Sequence, residues 1–187
     1  MKLSFRRTVI PLITALLASL LLIGPSSPAQ ARSPFCGIRW GSLEKVATAL
    51  STAPVTNVRT GRHLCYDRLV IDLAGPVAGY HVAYVPQVQA EGSGFAIPTR
   101  GGAALQITVN DPAYNISTGA TTYYPANPLA VRNVAGYRTF RQVVWAGSFE
   151  GYTSLGLGVR ARLPFRVFTL AGPGTSSRLV IDVAHRW

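Results

Sequence analysis

One short stretch stands twice in this chain and limits what the chain can become. Arg68-Leu69-Val70-Ile71-Asp72-Leu73-Ala74 returns as Arg178-Leu179-Val180-Ile181-Asp182-Val183-Ala184, 110 residues further on. Each copy alternates aliphatic side chains with charge, the period-2 pattern of a strand that lays one face on a core. Leu69, Ile71 and Leu73 then share one face, matched by Leu179, Ile181 and Val183. Arg68 with Asp72, and Arg178 with Asp182, share the other. Two like strands bracketing the chain predict a pseudo-symmetric β architecture.

The ends set the compartment. Lys2, Arg6 and Arg7 precede an uncharged apolar run from Val9 to Ile23, and small residues follow up to Ala29-Gln30-Ala31. That is the layout of an export signal with an A-x-A cleavage site, so residues 1–31 are set apart from the fold and the mature chain starts at Arg32. An uncleaved anchor is the other reading, but the run falls short of the ~20 apolar residues a span needs. Once processed, the chain is expected not to be an integral membrane protein. The remainder, residues 32–187, suffices for one core. Its two cysteines, Cys36 and Cys65, are an even pair in an oxidising compartment, which predicts a Cys36–Cys65 disulfide.

Charge narrows the partners. The whole chain carries +11, and loss of Lys2, Arg6 and Arg7 leaves +8, with Lys45 as the sole lysine of the remainder. Arginine forms planar, bidentate bonds to carboxylate and phosphate, so an exported arginine-rich surface suits an acidic polymer of the cell envelope. Codon bias in a GC-rich genome explains the same composition without function. The arginines are dispersed and form no basic run, and the compartment is wrong, so nucleic acid is excluded as a partner.

Along the mature chain, Ser42 as cap, Glu44 in the first turn, and Leu43, Val46, Ala47 and Leu50 at helical spacing predict a short helix within an N-terminal arm, residues 32–54. A strand over Val55 to Arg59, a turn at Thr60-Gly61-Arg62, and the first repeat strand from His63 to Leu73 follow. Gly79 to Val85 alternates, with Tyr80, Val82 and Tyr84 on one side. Further strands are expected at Phe95 to Ile97, Ala104 to Val109, Thr139 to Phe149, Thr153 to Val159 and Phe165 to Leu170. Asn110 to Gly136 is aperiodic and reads as one long loop. Short strands at regular spacing predict an all-β, antiparallel sandwich over residues 55–187 with a short helical arm in front.

The order of Phe149-Glu150-Gly151, Leu155-Gly156-Leu157-Gly158, Pro164 to Leu170, Pro173 and Arg178 to His185 resembles the AMIN-like domain of exported actinobacterial proteins. Tyr66 to Leu73 and Gly79 to Tyr84 fit the start of that pattern. That family is similar to the AMIN domains of cell-wall amidases and of secretins. The resemblance implies a β-sandwich that acts as a non-catalytic targeting module, recognising peptidoglycan or a neighbouring envelope component.

The chemistry-bearing residues point the same way. His63, His81 and His185 are far apart, no nucleophile elbow is present, and the cysteine and histidine spacing makes no zinc pattern, so neither a catalytic group, a metal nor a cofactor is expected. Arg68 and Asp72 stand about 13 Å apart along one strand, too far to pair. If the repeats are antiparallel neighbours, Arg68 opposes Asp182 and Arg178 opposes Asp72, giving ion pairs of well under about 1 kcal/mol on an exposed face. The alternative is that these arginines grip carboxylates of a wall peptide. His185 reads as a structural hydrogen-bonding residue. Leu155, Leu157 and Val159 face the core and leave Gly156 and Gly158 bare, either beneath the N-terminal arm or open to a flat ligand. Candidate ligand residues are therefore Tyr80, Tyr84, Arg68, Arg166, Gly156 and Gly158, with tyrosines in a sandwich more often core. The partner is a cell-wall polymer, peptidoglycan or an acidic glycan; a second reading is an envelope protein captured at a sheet edge.

Overall fold

The computed structural model describes residues 34–77 and 79–187; the expected export signal and its cleavage point lie outside them. Eleven strands run β1 Lys45–Thr48, β2 Val55–Arg62, β3 Tyr66–Leu73, β4 Gly79–Val85, β5 Val88–Gln89, β6 Ala96–Ile97, β7 Ala103–Val109, β8 Phe140–Phe149, β9 Tyr152–Val159, β10 Phe165–Ala171 and β11 Ser177–Ala184. They form a five-stranded sheet, β1-β4-β7-β9-β8, a four-stranded sheet, β10-β11-β3-β2, and the small pair β5-β6. Every pairing is antiparallel. The expected sandwich is present.

The repeat builds the centre of the four-stranded sheet. β3 and β11 lie side by side over their full length, with Ile71 opposite Leu179 and Leu69 opposite Ile181. Their alternate aliphatic side chains are fully buried and meet Val82, Leu105, Ile107, Val143, Leu155 and Leu157 of the five-stranded sheet in one core. At about 25 cal/mol per Å² of apolar surface removed from water, this inner layer is the main favourable term of the fold.

Two expectations are corrected. No helix forms in the arm: a single 3-10 turn spans Phe35–Gly37, and the stretch read as helical becomes β1, paired with β4 from Lys45 opposite Val82 to Thr48 opposite Gly79. Leu43, Val46 and Leu50 are exposed. A helix of two turns carries a nucleation cost that only a buried apolar stripe offsets, and here the open edge of β4 offers backbone hydrogen bonds instead. The turn after β2 also falls later. β2 continues through Arg62, with Gly61 opposite Arg68, and the chain reverses at His63 to Cys65. There the disulfide Cys36–Cys65, with a Cα–Cα distance of 6.4 Å, ties the arm to the start of β3.

The long connection between β7 and β8 closes one open side of the sandwich. It buries Ala113, Tyr123, Val131 and Val134 in the core. On β8 it bonds along the outer edge, Val131 N–H to Val143 O at 2.9 Å and Trp145 N–H to Pro128 O at 2.7 Å. On β2 it meets the outer edge through Val55 N–H to Pro112 O at 2.7 Å, Thr122 Oγ1 to Val55 O at 2.8 Å and Arg132 Nη2 to Asn57 Oδ1 at 2.7 Å. Exposed edges are templates for unwanted pairing, and this segment covers one in each sheet. On the opposite side the arm crosses from sheet to sheet, Phe165 N–H of β10 donating to Gly41 O at 2.8 Å before β1 joins β4.

Candidate functional site

The outward face of the four-stranded sheet receives the charged halves of both repeats. Register places Arg68 opposite Asp182 and Arg178 opposite Asp72, but the two crossings mature differently. Asp182 is fully buried. It accepts Arg68 Nε at 2.7 Å and Nη2 at 2.9 Å, and, from the neighbouring β10, Arg166 Nε at 2.8 Å. Both guanidinium groups lie against rings: Arg68 over Tyr66 and Phe168 at 5.2 and 5.5 Å, Arg166 over Phe168, Tyr66 and Trp40 at 4.8, 5.4 and 5.5 Å. Hydrogen bonding to Asp182 raises the Arg68 pKa above its ordinary value. At the other crossing, Arg59 of β2 takes both oxygens of Asp72 at 2.7 and 2.6 Å, and Arg178 turns away to donate to Ala171 O at 2.6 Å. The expected Arg178–Asp72 contact therefore exists in register only.

Tyr80 and Tyr84 are not brought to these arginines. They lie on β4 in the other sheet and pack against the core beside Val82. Tyr84 stands edge-on to Phe165 with centroids 5.6 Å apart, donates to Leu163 O at 2.7 Å and accepts Leu163 N–H at 3.0 Å. Burial pushes its pKa up to about 12. Nor are Gly156 and Gly158 bare. A Cβ on Gly156 would stand 2.6 Å from Val144 Cγ2 and 2.8 Å from Val88 Cγ1, and residue 158 is pressed just as closely by the Arg100 carbonyl. The cover is the β5–β6 excursion, which seats Val88 on Val144 and Ala146 in a second small core, and not the N-terminal arm. The glycines serve that close approach, so the groove expected over them is not built.

A different arrangement emerges at one end of the sandwich, where strands stop and turns begin. Arg62 ends β2, Arg138 and Arg141 flank the start of β8, Arg160 follows β9 and Arg186 follows β11. Three adjoining depressions hold them. One, of about 540 Å³, is lined by Arg100, Arg132, Arg141 and Tyr137. One, of about 580 Å³, lies against the disulfide and is lined by Phe35, Leu64, Arg138, Arg160 and Arg186. The third joins them, sharing Gly136 with the first and Leu64, Arg138 and His185 with the second, and adds Arg62 and His63.

Among the described residues, no ion pair links any of these seven arginines to a carboxylate. Their contacts are to neutral groups: Arg160 Nη2 to His185 O at 2.6 Å, Arg141 Nη1 to Phe140 O at 2.9 Å, Arg62 over Tyr137 at 5.9 Å and Arg186 over Phe35 at 4.6 Å. Such contacts fix the guanidinium groups of Arg62, Arg132, Arg141, Arg160 and Arg186 without cancelling their charge. The one acid in the lining, Asp67, is buried; it accepts Thr139 N–H at 2.6 Å, Phe140 N–H at 3.2 Å and His185 Nε2 at 3.2 Å. His185 Nδ1 meets Leu64 O at 3.1 Å. Both ring nitrogens are thus engaged by the surrounding fold, one at a buried carboxylate and one at a backbone carbonyl. His63 stacks on Tyr66, and His81 meets Glu44 at the surface at 3.0 Å. Among the described residues, no group of three or more His, Cys, Asp or Glu is placed to hold a metal ion.

Sequence reading missed this cleft because its arginines are scattered from position 62 to 186. The available signal was their place at strand ends: in an antiparallel meander, alternate ends gather on the same side. What the arrangement can do chemically is bind an anion through fixed planar donors with little local competition from carboxylates.

No curated protein and no solved structure matches the chain. The model of the AMIN-like domain matches residues 53–185, which span β2 to β11 and hold most of the arginine cleft, and the chain belongs to the AMIN-like domain family.

Proposed function

We propose that this protein is a secreted, non-catalytic module that recognises peptidoglycan or an acidic glycan associated with it, through the arginine-lined cleft. AMIN-like domains are in general non-catalytic modules related to the cell envelope, which supports the class. The observation that carries the reading is the convergence of seven arginines with, among the described residues, no carboxylate paired to them. Planar guanidinium groups bind carboxylate or phosphate bidentately, and a cluster without internal neutralisation attracts anions from a distance set by ionic strength. The Cys36–Cys65 bridge supports an extracytoplasmic compartment. In this reading residues 1–31 direct export, residues 32–54 form the arm and residues 55–187 the binding domain.

Sedimentation with purified, protein-free cell wall tests it. The wild-type chain is expected to pellet at low salt and to be released as salt rises, while an Arg138→Glu/Arg186→Glu chain stays in the supernatant. Equal pelleting of both chains refutes the cleft.

A second reading rests on a separate observation. Beyond Phe165, the outer edge of β10 has no backbone partner among the described residues, and Thr169 to Ala171 are exposed. An envelope protein could add a strand there. A protein-directed module stays in the supernatant of the same protein-free experiment, so one measurement separates the two.

A further inference from the structure

The cleft does not end at its arginines. His63, which lines it, stacks on Tyr66 with centroids 4.6 Å apart and planes 24° apart, and Tyr66 lies 5.9 Å from Trp40. Trp40 in turn donates its indole N–H to the carbonyl of Phe35, whose ring borders the cleft beside Arg186. A run of rings therefore leads from the cleft lip onto the outward face of the four-stranded sheet. Trp40 and Tyr66 are half-buried along it, each keeping part of its surface in solvent.

The two parts of this track differ in charge. In the cleft the one lining acid, Asp67, is taken up by Thr139, Phe140 and His185 and among the described residues pairs with no arginine, whereas on the sheet face Arg68 and Arg166 share Asp182 and their planes are held against Tyr66, Phe168 and Trp40. The face is thus a fixed ring surface, Trp40 tilted 57° to Tyr66, on which one carboxylate offsets half the charge of two arginines, and the cleft is a source of positive charge with no arginine–carboxylate pair among the described residues. Flat rings with a polar rim suit the apolar faces of sugars; bare guanidinium groups suit acidic substituents. A simple polyanion uses only the cleft, and a neutral sugar only the platform.

We infer that the ligand is a linear acidic polysaccharide, its sugar rings laid on Trp40 and Tyr66 and its acidic groups in the arginine cleft, rather than the peptide portion of the wall. This inference rests on the cleft being the binding site. The track accepts one chain carrying both rings and charges, and neither half alone accounts for the other.

Titration of the full chain with three probes tests it: an oligogalacturonate, a linear polyphosphate of equal charge and chitohexaose. The oligogalacturonate is expected to bind about tenfold more tightly than the polyphosphate, the margin one aromatic contact supplies. Trp40→Ala should remove that margin, leaving polyphosphate affinity and the salt dependence of binding unchanged; Trp40→Phe should restore most of it. If Trp40→Ala fails to fold, Trp40→Leu keeps apolar cover without a ring and should lose the same margin. Arg138→Ala/Arg186→Ala should weaken both acidic probes and flatten the salt dependence. Equal affinity for the two acidic probes, oligogalacturonate binding that is indifferent to Trp40→Ala or Trp40→Leu, or chitohexaose binding as tight as that of the oligogalacturonate overturns the inference while the cleft stands. Failure of both acidic probes to bind, or their indifference to the arginine substitutions, overturns the cleft reading itself.

Discussion

The two crossings of the repeat strands start from the same residues and end in different states. At one, Asp182 is enclosed by Arg68, Arg166 and three rings; at the other, Asp72 is held at the surface by Arg59 while its register partner Arg178 bonds elsewhere. The side chain of Arg59 is 49% exposed and that of Asp182 not at all. What separates them is the cover, not the motif: β10 contributes Arg166 beside Asp182 and Phe168 beneath the two guanidinium groups, and the arm lays Trp40 against Arg166, whereas β2 brings only a single arginine to Asp72. Enclosure strengthens the attraction between carboxylate and arginine but also costs both their hydration, so what grows with burial is the penalty for removing one partner and leaving the other charge unmet.

The comparison can be broken most forcefully from beneath. On their inner faces the two strands are equivalent, so Ile71→Ala and Ile181→Ala should each cost about 3 kcal/mol of unfolding free energy; in chemical denaturation a gap of more than about 1.5 kcal/mol between them contradicts that equivalence. Replacing both cysteines by serine should cost roughly 3 kcal/mol through the freed unfolded chain. Because the bridge anchors the arm that carries Trp40, this change should also shrink the penalty of losing Asp182, a coupling visible in a double-mutant cycle. Asp182→Asn should cost about 2 kcal/mol, less than a wholly buried pair loses because Arg68 and Arg166 still reach solvent. Asp72→Asn should fall below about 0.5 kcal/mol and vanish in high salt. If the two asparagine variants melt alike, the cover has been overvalued.

The smallest signal lies in the other sheet. Folding holds the Tyr84 proton to about 12, against 10 for an ordinary tyrosine. Between those values the unfolded chain has released the proton and the folded chain has not, so stability falls as pH rises through that window. Tyr84→Phe should remove part of this fall, leaving the share of Tyr123, which burial also shifts upward.

The strands were legible because period-2 alternation states which side is covered; Leu69, Ile71, Leu179 and Ile181 could point only inward. The opposition of Arg68 and Asp182 was legible too, as a consequence of antiparallel neighbours. The arm was not. Leu43, Val46 and Leu50 fit a helical face, but helical spacing carries weight only when something packs on it, and β4 offered an edge instead. The cover over Gly156 and Gly158 was recognised as a close approach, with its source misassigned, because the two-residue strand β5 is too short to show a period. The cleft left only a faint trace, arginines standing at strand ends: Arg62, Arg138, Arg160 and Arg186 become neighbours only once those ends are gathered.

The connection that seals β2 and β8 has a bearing on how such a domain can be used. A domain built of strands must tolerate copies of itself at short range, where any bare edge invites its twin. With those two margins already occupied by the chain's own backbone and side chains, crowding leaves neighbouring copies without a ladder to extend on that flank, and strand addition is steered to the far side of the sandwich, where β10 lies.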